Sequence, residues 1–148
     1  MEFKQIKKNF KVVGMKNSGV FADYGNEVPK FAQQFLRRAN EIKNSSETEI
    51  ALYEQKRNDN HLEGQYYVGL IVNGTLNEVP TGMEYIETTQ DYVNMRGKIS
   101  DIGKLHNELL KWADEQGFQR DLESYIVETY HQNENNEEEV EIYLPILL

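Results

Sequence analysis

Cysteine is absent from the 148 residues, which excludes disulfides, thiolate zinc sites and a cysteine nucleophile, and fits an intracellular address. No apolar run approaches the roughly 20 residues of a membrane span, and the opening Met1-Glu2-Phe3-Lys4 lacks the apolar stretch of a signal peptide. A cytoplasmic protein is expected. Basic charge is scarce: 16 Lys and Arg stand against 25 Asp and Glu, a formal net charge of -9. A nucleic-acid partner requires a basic face that displaces counterions from phosphate, so DNA and RNA are not expected as direct partners. Gly64, Gly69 and Gly74 do not have the spacing of a phosphate-binding loop, and His61, His106 and His131 are scattered with no second ligand at zinc spacing. Neither a metal nor a cofactor is expected.

The composition is 39% hydrophobic with nine tyrosines, so the chain should fold, and its length is that of one domain over 1–148. Two segments have a helical period. Phe31, Phe35, Leu36, Ala39 and Ile42 share one side of a first helix, with Asn26 as N-cap and Pro29 in the first turn. Ile102, Leu105, Leu109, Trp112 and Ala113 form the stripe of a second, capped by Ser100 or Asp101 and closed by Gly117. Strands are predicted over 10–15, 49–54, 66–72, 83–89 continuing towards 95, 125–130 and 140–146. Tyr66 to Val72 is almost continuously apolar, as in a strand covered on both faces; Val140, Ile142, Leu144 and Ile146 alternate with Glu141 and Tyr143, as in a strand with two distinct faces. The Asn- and Glu-rich 132–139 segment reads as a solvated hairpin tip.

The order of elements repeats. Val12-Val13-Gly14-Met15-Lys16 resembles Tyr92-Val93-Asn94-Met95-Arg96, and each is followed by a helix, a strand, a polar loop and a strand. The expected architecture is therefore α+β: two β-α-β-β units, about 1–80 and 81–148, related by a pseudo-twofold axis. One curved, mostly antiparallel sheet would carry both helices on one face, with a ligand cleft between the repeats.

The residues resemble a known family, the GyrI-like or AraC-type effector-binding domain. The resemblance spans most of the chain. It rests on Glu27-Val28-Pro29-Lys30-Phe31, Tyr67-Val68-Gly69-Leu70, Val79-Pro80-Thr81-Gly82-Met83, Tyr92 with Gly97, Leu109 to Trp112, Tyr125 to Tyr130, and the closing Glu141-Ile142-Tyr143-Leu144-Pro145-Ile146. It implies a duplicated β-α-β-β fold, in agreement with the repeat. It also implies a role among ligand-sensing halves of bacterial multidrug-responsive regulators, stand-alone binding proteins, gyrase-inhibitory proteins or small hydrolases. With the first strand beginning near Phe10, no length is expected for a helix-turn-helix module.

Glu128 is the residue singled out, since it shares one strand face with Ile126 and Tyr130 and matches the family's pocket glutamate. Burial of an unpaired carboxylate costs several kcal/mol, so an inward glutamate needs either a structural partner or a cationic or hydrogen-bonding ligand. Tyr67, Tyr85, Tyr92, Tyr130 and Tyr143, with Trp112, supply candidate aromatic walls for an amphipathic cation. The alternative is that these aromatics are core and that Glu128 pairs with a lysine. Glu141 competes with Glu128, and Glu54 is a third candidate by repeat symmetry; for both, a solvated carboxylate is the simpler assignment. The function expected is small-molecule capture by a stand-alone binding protein. A hydrolase using Glu128 as general base with Tyr92 or Tyr130, and an interaction protein that docks a basic partner such as gyrase, are the alternatives.

Overall fold

The computed structural model describes residues 2–148. Its elements run β1 (Lys4–Val20), α1 (Tyr24–Leu36), β2 (Ser45–Tyr53), β3 (Glu63–Val72), β4 (Glu84–Lys98), α2 (Ile102–Glu115), β5 (Gln119–Arg120), β6 (Ile126–Gln132) and β7 (Glu138–Leu147). All strand pairings are antiparallel, in the order β4-β1-β3-β2-β6-β7-β5, and β4 also pairs with β7, so the sheet curves until it closes on itself. No helix among the described residues is long and apolar enough to cross a membrane.

The register places the two repeats on matched ladders. Val13 lies opposite Leu70 and Val93 opposite Leu144, which aligns the two related pentapeptides on equivalent ladders. Two residues back along the inner strands, Val68 lies opposite Ala51 and Ile142 opposite Glu128. Ala51 and Glu128 are therefore equivalent positions in the two halves, and they face one another where β2 pairs with β6. The pseudo-twofold axis passes through that pair.

Period-two alternation splits the core into layers. Val13, Tyr66, Val68, Leu70 and Val72 pack outward against Val28 and Phe35 of α1, and Val93, Met95, Val140, Ile142 and Leu144 pack against Leu105, Leu109 and Ala113 of α2. The opposite faces of six strands enclose a third cluster, Phe10, Val12, Ile50, Leu52, Tyr67, Tyr92, Val127 and Tyr143. Both faces of β7 are thus covered, where the sequence led us to expect one apolar and one open face. Strands β1 and β3 meet at Gly14 opposite Gly69, where a Cβ on Gly14 would lie 2.5 Å from the Val68 carbonyl oxygen and one on Gly69 2.6 Å from that of Val13.

Helix α1 departs from expectation at both ends. It starts at Tyr24, so Asn26 is not its cap and Pro29 lies inside it. It stops at Leu36, and Ala39 falls in a separate single turn of 3-10 helix over Ala39–Glu41. The apolar period continues through Ile42 because that residue is buried in the same cluster, reached by an irregular path. Helix α2 ends as expected, with Gly117 in the left-handed region at φ 77°.

Candidate functional site

Between α1 and α2, over the β2–β6 seam, lies an open cleft of ≈ 1380 Å³. Its walls include Val28 and Ala32 of α1 and Ile102 and His106 of α2; its floor includes Ala51 and Glu128. Each helix packs on its own half of the sheet, and the cleft lies between them.

Glu128 is 5% exposed and its carboxylate is held by three donors. Oε1 accepts from the Tyr130 hydroxyl at 2.6 Å and the Tyr53 hydroxyl at 3.0 Å, and the two hydroxyls lie 3.1 Å apart. Oε2 lies 2.6 Å from His106 Nε2. Tyr53 is in place because it follows Ala51 by two residues on the same face of β2; Tyr130 follows Glu128 in the same way on β6. Burial first, then the negative charge of Glu128, pushes the Tyr53 hydroxyl well above its ordinary pKa. Burial, then the neighbouring Tyr53 and Glu128, does the same to Tyr130. Both therefore remain neutral donors at physiological pH. On the rim, burial followed by the charge of Glu138 raises the pKa of Glu49.

Of the residues singled out in the sequence, Glu54, Glu128 and Tyr130 line this cleft. The others lie elsewhere. Tyr67, Tyr92 and Tyr143 point into the enclosed cluster on the far side of the sheet, because their strand positions have the opposite parity to the cleft face. Tyr85 packs beside the α1 cluster and donates to Glu87 at 2.9 Å. Trp112 stacks on Phe3, with centroids 5.2 Å apart, against the core cluster beneath α2. Glu141 accepts from Asn94 at 3.1 Å, off the axis. Glu54 lines the cleft, but the position equivalent to Glu128 is Ala51, so repeat symmetry does not select Glu54. The lysine partner considered for Glu128 is instead a histidine.

His106, Tyr53 and Ala51 were not singled out. His106 was legible as a fourth-residue neighbour of Ile102 on the stripe that continues to Leu109 and Ala113, one polar residue on an otherwise apolar helix face. Nothing local marks Ala51 or Tyr53, whose role comes from the pairing of β2 with β6.

The sequence profile of integron-associated effector binding proteins, Cass2, matches residues 5–146. The chain belongs to this family. In structure, the protein is similar to SAV2435 bound to tetraphenylphosphonium, with a TM-score of 0.74 at 11% identity, covering 99% of this chain and 94% of the other. It is also similar to an integron cassette protein from the mobile metagenome of Vibrio cholerae, with a TM-score of 0.69 at 15% identity, covering 98% and 95%. The C-terminal domain of EcmrR follows, with a TM-score of 0.63 at 14% identity, covering 99% of both chains. No curated protein matches the sequence. These likenesses establish the GyrI-like fold of this Cass2-family chain, α+β with one seven-stranded antiparallel sheet and two helices, as the resemblance implied.

Proposed function

We propose that this effector-binding protein captures amphipathic organic cations in the cleft between α1 and α2, with the Glu128 carboxylate as counter-charge. The observation that carries this reading is the kind of partner Glu128 has. A carboxylate has about four lone-pair sites, and three are engaged here by two neutral hydroxyls and an imidazole. Hydrogen bonding is nearly satisfied while no lysine or arginine among the described residues reaches the charge. Such a group suits a delocalised cation with no N–H to donate better than it suits an ammonium, which would need free lone pairs. An organic cation centred about 6 Å away would gain roughly 3 kcal/mol at an effective dielectric near 20. The tetraphenylphosphonium bound to the structurally similar SAV2435 is a ligand of this chemistry.

Tetraphenylphosphonium titrated calorimetrically into the wild type and Glu128→Gln provides the test. The variant keeps the shape and most of the hydrogen bonds but loses the charge, so affinity should fall about ten-fold or more. Equal affinity would refute the electrostatic role of Glu128. The hydrolase alternative would need Glu128 to take a proton from water, yet its lone pairs are mostly engaged. Stoichiometric complex without turnover of ester substrates separates capture from hydrolysis.

A further inference from the structure

The cleft extends beyond Glu128. Gln55 follows Tyr53 by two residues, is 4% exposed, and lines the same cavity. Its Nε2 donates to the carbonyl oxygens of Asp121 and Ser124, each at 2.7 Å. Those two acceptors fix the amide so that Oε1 faces Arg120, whose Nη2 donates to it at 2.5 Å. Arg120 comes from the short strand β5 and also lines the cleft.

This guanidinium differs from the protein's other paired arginines. Arg38, Arg57 and Arg96 each meet a glutamate, whereas the partner of Arg120 is a neutral amide. Its Nε is buried with no hydrogen-bond partner among the described residues. Burial lowers its pKa, the direction expected of a desolvated cation without a counter-charge. A guanidinium presents five donors in a planar fork shaped for a carboxylate, and one of the five is engaged. The cleft thus has an acid at the axis and an incompletely matched cation at one end, separated by about four extended residues, roughly 13 Å along β2 and its continuation.

We propose that Arg120 is a second polar anchor and that the ligand class is bipolar: a lipophilic cation bearing a carboxylate at some distance from its charged centre. The inference rests on the reading of Glu128 above. Glu128 takes the cationic end, Arg120 takes the acid in a charge-assisted fork, and Gln55 holds the guanidinium towards the cleft.

Matched phosphonium probes test it. Pentyltriphenylphosphonium and (4-carboxybutyl)triphenylphosphonium, with longer pairs matched in the same way, are titrated into wild type, Arg120→Met, Arg120→Lys and Glu128→Gln. The wild type should bind the acid about ten-fold more tightly than its alkyl counterpart for at least one chain length. Arg120→Met should abolish or reverse that preference while leaving alkyl affinity within about two-fold, and Arg120→Lys should keep part of it. Glu128→Gln should weaken the alkyl compounds and leave the acid preference standing. Wild-type protein that shows no acid preference at any length overturns the proposal without recourse to a variant. So does an Arg120→Met protein that keeps the preference and loses only thermal stability, which would make Arg120 a structural tie to Gln55. Alkyl probes that bind Glu128→Gln as well as wild type overturn the cation reading of Glu128, while an acid preference that disappears with Arg120 would still support the anchor. Alkyl probes that fail to bind the wild type overturn both.

Discussion

Ala51 and Glu128 occupy the same place in the two halves of the chain and face each other across β2 and β6. A methyl on one side of the axis leaves room for a carboxylate on the other, so this difference between the repeats puts a charge on the floor of the cleft. Ala51 is 1% exposed and lies in the cleft lining. Ala51→Leu should therefore crowd the floor while leaving Glu128 in place. Overpacking is expected to cost about 1–3 kcal/mol of stability, and tetraphenylphosphonium affinity should fall about ten-fold. Calorimetric titration of the folded variant checks it; wild-type affinity would move the ligand away from the axis.

The buried tyrosines set an alkaline limit on stability. Tyr53 and Tyr130 are raised well above the ordinary value, and Tyr24, Tyr67 and Tyr92 are pushed up to about 12, chiefly by burial. A group whose folded pKa is raised binds its proton more tightly in the folded state. Its contribution is therefore fully present below the unfolded value near 10 and is lost as pH climbs from there towards 12. Denaturant midpoints should fall steeply across that window, with tyrosinate absorbance appearing together with unfolding. Early, gradual ionisation of all nine tyrosines in the folded protein would contradict it.

Gly14→Ala should destabilise the sheet where β1 meets β3. The added Cβ meets the Val68 carbonyl, which belongs to a central strand and cannot swing away as a side-chain tip would. A cost of about 1–3 kcal/mol in chemical denaturation is expected, and a denaturant midpoint equal to wild type would show that the strands absorb the methyl without penalty.

Trp112→Ala separates core aromatics from cleft aromatics. The indole stacks on Phe3 against the core cluster beneath α2 and does not line the cleft, so its removal should lower stability by about 3 kcal/mol and leave tetraphenylphosphonium affinity unchanged. Tyr92→Phe should likewise leave binding intact.

Much of this could be read before folding. The helix stripes around Phe35 and Leu109, the apolar run of β3 and the matched pentapeptides each reflect a local period, and local periods survive into the structure. Glu128 was legible too, as a carboxylate sharing a strand face with Ile126 and Tyr130. Of the six candidate aromatics, Tyr130 alone lines the cleft. Tyr67, Tyr92 and Tyr143 differ from Tyr53 and Tyr130 only in which side of a closed sheet they face, and both sides are buried, so hydrophobicity cannot tell the core face from the cleft face.

By itself the sequence determined the class of element at each position, the duplication, the acidic balance and the family. These depend on neighbours within a few residues or on the order of segments along the chain. Tertiary structure alone decided that Ala51 meets Glu128 on the axis, that His106 and Tyr53 reach the carboxylate, and that Arg120 faces the cleft with an amide in place of an acid. Each of these depends on strand pairing and closure between residues far apart in the chain, where shifting the register by one residue would send every side chain to the other face.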